Sequence, residues 1–496
     1  MSLSIVLDRS ARAPIYQQVA GQIREQIGMG QLPAGARLPT IRQLAQQLGV
    51  TRLTVQTAYA ELQSGGWLEA TVGRGTFVSQ SAAVDAPPAA AHLDLLRAVT
   101  PAAVMGDILQ IGHGREKHSL ASASPDPLLF PADEFWGCLA DQRRNAAAIA
   151  GYGPAQGDIQ LRMALADYLH DRTIQATPAE ILVTAGVTQG LALSAAALAE
   201  PGDVVLVEQP TYIGILHQLR MAGLQPMGIP MDEGGIRLDA LDKMAAQARP
   251  RFLYTIPSFQ NPTGSCLSLQ RRRDLLALAR THGFLIVEDD IYALLAYDAP
   301  APPPLKALDE HGLVIYLSSF SKVLMPGLRL GCLLAPPYLL DRLLSLRLAA
   351  DLVSPSLLQQ TLAAFLQAGG LRRHLRRVLP VYRRRRDAMM AALQRYAPPP
   401  LRWTVPAGGF CTWLTMPRHH ALAELARLMR QGGWEIAPGD VFLAQPSGEQ
   451  HVRLCFGSQP DDALARSMRT MGQIVREQLA QPDIALQDGG DFAPLV

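Results

Sequence analysis

From about residue 105 onward, short apolar runs alternate with Leu- and Ala-rich stretches of helical period. The runs are EILVTAG, DVVLVEQP, RFLYTIPS, FLIVEDD and LVIYLSS, each bounded by Gly, Pro, Asp or Ser. Continuous rather than alternating apolar runs predict strands covered on both faces, with helices as the crossovers between them. The expectation is an α/β unit with a mostly parallel sheet. From about residue 340 the pattern turns to long helices and then short strands around GGFCTWL and HVRLCFG, predicting a smaller α+β lobe.

The first 80 residues follow another rhythm. Thr40 is placed to cap a helix carrying Ile41, Leu44, Ala45 and Leu48 on one face, and Gly49 ends it. Thr51 is placed to cap a second helix with Val55, Ala58, Tyr59 and Leu62 facing inward. WLEATVGRGTFV then predicts two strands around Gly73-Arg74-Gly75. Two helices, a short turn and a hairpin wing make an α+β winged helix-turn-helix. Arg52, Thr54 and Gln56 near the start of the second helix are candidates for base edges, and Arg37, Arg42 and Arg74 for phosphates. Thr40 and Thr51, at the helix starts, complete the candidate set for double-stranded DNA. A small helical protein-docking domain would share this pattern.

SAAVDAPPAAAH then loses periodicity and predicts a semi-extended linker. The resulting organisation is 1–80 DNA-binding, 81–104 linker, 105–480 large domain and 481–496 tail. A chain of 496 residues, 48% hydrophobic, is too long for one core. Its net charge of +2 excludes a polycation, so any nucleic-acid contact must be local. Up to residue 80 there are seven arginines, no lysine and four acids, which makes that segment locally basic. Cys138, Cys266, Cys332, Cys411 and Cys455 are far apart in sequence with no C-x-x-C pair, the pattern expected of a reduced, cytosolic protein without a disulfide framework or zinc site. MSLSIVLDRS lacks the features of a signal peptide, and the longest apolar stretch is cut by Pro201, Gly202 and Asp203, so no membrane partner is expected. LRRHLRRVLPVYRRRRDAMM, with eight arginines, reads as a long helix with a solvated cationic face, or as an extension of a DNA-contacting surface.

Lysine carries the candidate chemistry. There are four: Lys117, Lys243, Lys306 and Lys322. Only Lys322 follows a cluster of hydroxyls, in SSFSKVLMPGLRLGC, with a cation seven residues on. A desolvated amine loses its charge and can attack an aldehyde. Ser319, Ser321 and Arg329 could hold a phosphate dianion beside it, which points to pyridoxal 5'-phosphate. That cofactor needs further parts. Asp289 is the candidate for the ring nitrogen, and Asn261 and Tyr292 for the ring oxygen. Gly186, Val187 and Thr188, at a strand-to-helix turn, are candidates for the phosphate, and Tyr212 for stacking on the ring. Arg453 is the candidate for a substrate carboxylate.

The order Gly-rich turn, Tyr, Asn-Pro-Thr-Gly, Asp/Tyr, Ser-x-Ser-Lys, Arg, late Arg resembles the fold type I aminotransferases over about residues 105–480. YGPAQGDIQLR matches their early segment; the resemblance implies that Tyr152 reaches the partner subunit's phosphate site in a homodimer. LPAGARLPTIRQLAQQLGVTRLTVQTAYAELQSGGWLEATVGRGTFV resembles the GntR winged helix, with TRLTV departing from the usual Ser-Arg start. Joined in this order, the two resemble the MocR regulators. The resemblance implies a cytoplasmic regulator that binds operator DNA and senses a small amino acid or amine through an external aldimine at Lys322. A working aminotransferase with a DNA-binding appendage, and a cofactor-free regulator, are the alternatives.

Overall fold

A computed structural model describes residues 5, 7, 14–28, 32, 35–64, 66–71, 75–79, 118–416 and 422–480. Arg74, the 81–104 linker and the 481–496 tail lie outside the described residues. The chain divides into two compact units that meet in the sequence at residue 100.

The first unit contains α1 (Ile15–Gly28), α2 (Ile41–Leu48), α3 (Arg52–Ser64), β1 (Leu68–Thr71) and β2 (Gly75–Val78). Thr40 stands in extended conformation before α2, and its side chain and that of Gln43 cap each other's backbone N–H. Gly49, at φ 62°, terminates α2 in the left-handed region, where a Cβ would be strained. Val19, Ile23, Leu44, Val55, Ala58, Tyr59 and Leu62 form the core. The Tyr59 hydroxyl donates to the Pro39 carbonyl at 2.8 Å and so ties α3 to the start of α2. β1 and β2 pair antiparallel as the wing.

The second unit is built on an eight-stranded sheet. Its strands are β4 (Ile181–Thr184), β5 (Val204–Gln209), β6 (Gln225–Asp232), β7 (Gly235–Ile236), β8 (Phe252–Thr255), β9 (Leu285–Asp289), β10 (Val314–Ser319) and β11 (Gly331–Leu334), in the order β4-β11-β10-β9-β8-β5-β6-β7. All five apolar runs are strands. Alternate residues of one strand enter opposite cores: Val205, Val207, Val287, Ile315 and Leu317 on one face, Leu206, Leu253, Ile286 and Val314 on the other. That two-sided burial is why the runs are continuous rather than alternating.

The sheet is more mixed than the pattern suggests. Pairings among β10, β9, β8, β5 and β6 are parallel, but β11 inserts between β4 and β10, antiparallel to both. β11 is only four residues long and begins at the last two residues of the lysine segment. β6 carries Pro226 and Pro230, which disguise a strand near the sheet's edge.

The smaller lobe pairs β12 (Arg402–Trp403), β13 (Cys411–Met416), β16 (Gln450–Cys455) and β15 (Ala437–Pro438) in that order. A two-residue pair, β3 (His118–Ser119) with β14 (Trp434–Glu435), ties the start of the unit to this lobe. The arginine-rich stretch is a helix, α5 (Gly370–Tyr396), lying beyond α4 (Val187–Leu198) in the chain. Its face is not simply a solvated cationic one. Arg385 is buried against Asp126 at 2.6 Å, Arg386 is buried against Asp298, and Arg372, Arg373, Arg383 and Arg384 pair with Asp171, Glu134, Asp298 and Asp461. Most of its charge is therefore spent on intramolecular pairs. Among the described residues no helix is long and apolar enough to cross a membrane.

Candidate cofactor site and DNA-binding helix

Parallel strands bring their carboxyl ends to one edge of a sheet, and the loops that follow line a common crevice. Here β5 leads to Tyr212, β8 to Asn261, β9 to Asp289 and Tyr292, and β10 to Lys322. β4 leads to Gly186. Residues distant in sequence are thus gathered by topology.

The acids of FLIVEDD separate cleanly. Glu288 accepts from the backbone N–H of Leu305 at 2.7 Å and of Lys306 at 2.8 Å. Asp290 pairs with Arg172 at 2.9 Å and accepts from the Tyr316 hydroxyl at 2.9 Å, although its Oδ1 is left over. Asp289 points the other way, as strand alternation requires. It accepts from the Tyr254 hydroxyl at 2.8 Å, forms no ion pair among the described residues, and its buried Oδ1 has no partner there. Burial pushes its pKa up to about 7 against the pull of that hydrogen bond. This is an acceptor in place for one further N–H donor.

Lys322 is half-buried as a residue, but its amine sits among protein groups, and burial together with the Arg453 charge lowers its pKa. The turn before it is held by the hydroxyls of Ser319 and Ser321, 2.9 Å apart, and by Ser319 Oγ donating to the Leu330 carbonyl at 3.1 Å. Gly186, at φ 91°, precedes the first turn of α4. A Cβ there would lie 3.5 Å from Arg329 Nη2 and 3.6 Å from Ser319 Oγ, so Gly186, Ser319 and Arg329 converge on one place at a helix N-terminus. Arg329 is exposed, at φ 51°, and donates to the Ala185 carbonyl at 2.8 Å. Val187 is buried in the same turn, whereas Thr188 is exposed and hydrogen-bonded to the Tyr212 side chain.

Asn261 Nδ2 lies 3.5 Å from the Tyr292 hydroxyl, and its Oδ1 accepts from Arg453 Nη1 at 2.8 Å. Arg453 is 3% exposed, donates also to the Ala121 carbonyl, and stacks 4.5 Å from the Phe442 ring centroid. It forms no ion pair among the described residues, and its Nε has no hydrogen-bond partner there. A buried guanidinium without a carboxylate is expensive, which argues for a ligand-directed role. Tyr152 is not drawn into this cluster; it is 88% exposed.

In the first unit, Arg37, Thr40, Arg42, Thr51, Arg52 and Gln56 are exposed. Thr54 is not; it is half-buried, because its hydroxyl lies 2.8 Å from Thr51 Oγ1 and its N–H donates to that oxygen at 3.2 Å. Thr51 and Thr54 are spent on capping α3, and Leu53, 70% exposed, shares the outer face with Arg52.

Both units match known families. The gntR family of bacterial regulatory proteins matches residues 15–78, and aminotransferase class I and II matches residues 134–468. The chain is 34% identical to the uncharacterised HTH-type transcriptional regulator YisV of Bacillus subtilis, over 91% of this chain and 94% of that protein. It is 30% identical to the probable rhizopine catabolism regulatory protein MocR of Rhizobium meliloti, over 90% of this chain and 89% of that one. The chain belongs to the MocR-type regulators of the GntR family. Its second unit also superposes on LysN, the alpha-aminoadipate aminotransferase of Thermus thermophilus solved with N-(5'-phosphopyridoxyl)-L-leucine, with TM-score 0.70 and 35% identity over 74% of this chain and 94% of that one.

MocR-type regulators pair a GntR winged helix with a fold type I aminotransferase domain, and this chain is accordingly a DNA-binding regulator with an aminotransferase-like domain. The residues present fit the cofactor of that fold. Asp289 offers the unpartnered acceptor, Gly186 with Ser319 and Arg329 the anion cradle, and Lys322 the desolvated amine.

Several residues of this MocR-type site carried no readable signal. Tyr254 orients Asp289 from mid-strand. Glu208, buried and pushed up to about 7 by desolvation, accepts from Thr255 Oγ1, from Ile256 N–H at 3.2 Å and from Gln260 Nε2 at 3.0 Å, and so fixes the loop that presents Asn261. Cys411 touches Asn261 Oδ1 at 3.8 Å and lies 3.6 Å from Cys455, Sγ to Sγ. A run such as DVVLVEQP marks Glu208 as a strand residue, but nothing in it says that the carboxyl is buried.

Proposed function

We propose that this MocR-type regulator binds pyridoxal 5'-phosphate at Lys322 and senses an amino-bearing small molecule there, altering how its winged helix engages operator DNA. The carrying observation is a desolvated Lys322 amine that feels the charges of both Asp289, whose Oδ1 has no partner, and Arg453, a buried arginine without a carboxylate. When bound, the cofactor would supply an aldehyde that the Lys322 amine would hold and for which an amino-bearing effector would compete.

The chain's own groups supply the rest. Asp289 Oδ1 accepts the ring N–H and keeps that nitrogen protonated. Asn261 and Tyr292 hold the ring oxygen, and Gly186, Val187, Thr188, Ser319, Ser321 and Arg329 surround the phosphate. Tyr212 covers the ring. Arg453 binds a carboxylate on the effector with donors now directed at Asn261 and Ala121. The exposure of Tyr152 supports a homodimer in which it serves the partner's phosphate. Arg37, Arg42, Arg52, Gln56 and Arg74 contact DNA; Thr40, Thr51 and Thr54 build the helix starts that present them.

The test is spectroscopic. Borohydride reduction of the holoprotein, followed by peptide mapping, should tag Lys322, and amino acids should shift the absorbance and the operator affinity together. An absent tag on cofactor-saturated protein would sink the proposal. A working aminotransferase is a second reading, favoured by 36% identity to the 2-aminoadipate transaminase of Thermus thermophilus. Sustained turnover with a keto acid would favour it over the sensor.

A further inference from the structure

Cys411 and Cys455 face each other directly across the antiparallel pair β13–β16. The Cys455 N–H donates to the Leu120 carbonyl at 2.7 Å, away from β13, so this is a non-hydrogen-bonded pair of the ladder. Such pairs hold their Cα atoms about 4.5 Å apart, within the span of about 4.4–6.8 Å that a disulfide bridges. The sulfurs are 3.6 Å apart and both thiols are free. Cys411, Trp413, Arg453 and Cys455 share one face of the sheet, the face that meets Asn261. Burial raises both thiols, but the Cys411 hydrogen bond and the charges of Arg453 and Lys322 bring Cys455 below its ordinary value, while Cys411 stays above it. Arg453, two residues from Cys455 on the same strand and face, stabilises the Cys455 anion, which makes Cys455 the nucleophile and Cys411 the resolving thiol.

We propose that Cys411 and Cys455 form a reversible disulfide, driven by a hydroperoxide, that retunes Arg453 and with it the affinity of the effector site. The inference rests on the reading of that site given above: an opening that admits an amino-bearing effector to Lys322 also admits hydrogen peroxide. The Cys455 sulfur attacks a peroxide oxygen, giving a sulfenic acid and hydroxide. The Cys411 thiol displaces the sulfenic oxygen, which leaves with both remaining protons as water. Overall two thiols lose two electrons and peroxide becomes two waters; a dithiol reductant reverses the step. Bonding pulls the sulfurs to about 2.05 Å, draws Cys411 from Asn261, and removes the negative charge that Cys455 presents to Arg453. Arg453 is then less compensated and holds a carboxylate more tightly.

The experiment titrates the reduced, full-length holoprotein with hydrogen peroxide, alkylates the remaining thiols, and maps non-reduced peptides. The expected result is one peptide pair linked through 411 and 455, loss of two alkylatable thiols, recovery with a dithiol, and amino-acid affinity raised about tenfold in the linked form. Cys455→Ser and Cys411→Ser should each abolish the link. The wild-type map needs no variant, so a variant that fails to fold leaves the test intact. The proposal is overturned if Cys138 or Cys266 is consumed while 411 and 455 stay alkylatable, if Cys455 advances to sulfinic acid unlinked, or if the link forms without a change in affinity. The imine band of the reduced protein is read separately; its absence would count against the sensing proposal and not against the thiol chemistry.

Discussion

The helix proposed to face DNA and the pocket proposed to hold the effector are built in opposite ways. The α3 face is made by one short helix: Arg52, Leu53 and Gln56 are exposed because Val55, Ala58, Tyr59 and Leu62 take the other side. Its orientation depends on caps within a few residues. The Lys322 pocket takes groups from Gly186 to Arg453, spread over most of the second unit; most follow the end of a strand, and Arg453 lies within β16. A local surface is damaged one contact at a time. A gathered pocket has members that are buried, coupled and charged, so single changes there cost more.

That contrast can be broken or sharpened by four substitutions. Arg453→Ala should weaken binding of a carboxylate-bearing effector by about 2–4 kcal/mol, with the effector-free operator affinity unchanged, as read by absorbance titration and DNA binding in parallel. An equal loss for amines lacking a carboxylate would show that Arg453 shapes the pocket instead.

Asp289 sharpens the comparison through pH. Its folded-state pKa, raised by burial to about 7, lies above its ordinary value, so in the cofactor-free protein its stabilising contribution is complete below pH 4 or so and is lost as pH rises through about 7. Between roughly pH 5 and pH 8 that loss amounts to about 2–3 kcal/mol. Denaturant unfolding of cofactor-free Asp289→Asn should show a correspondingly shallower decline; an unchanged slope would remove Asp289 as its source.

Arg52→Ala should weaken operator binding by about 1–3 kcal/mol and leave the cofactor absorbance untouched. A uniform loss across sequences with a smaller salt slope would mark Arg52 as a phosphate contact, and a loss confined to one base position as a base contact. The smallest effect belongs to Thr40→Ala, which removes the cap of α2 and should destabilise the first unit by about 1 kcal/mol in thermal unfolding. A change in the Lys322 environment would contradict the local action of this cap.

By itself the sequence determined the winged helix in detail, because its signals act over three to five residues: Thr40 to Gln43, Gly49, and the inward stripe of α3. It also determined the five strands of the large sheet, since burial on both faces leaves an uninterrupted apolar run, and it marked Lys322 through the scarcity of lysine and the hydroxyls around it. Only the tertiary structure decided the insertion of β11, the pairing of Asp290 with Arg172, the ion pairing of the α5 arginines, and the meeting of Cys411 with Cys455. Each depends on which distant group arrives opposite. That is set by strand order and register across the whole sheet, and the local periodicity of a chain carries no record of either.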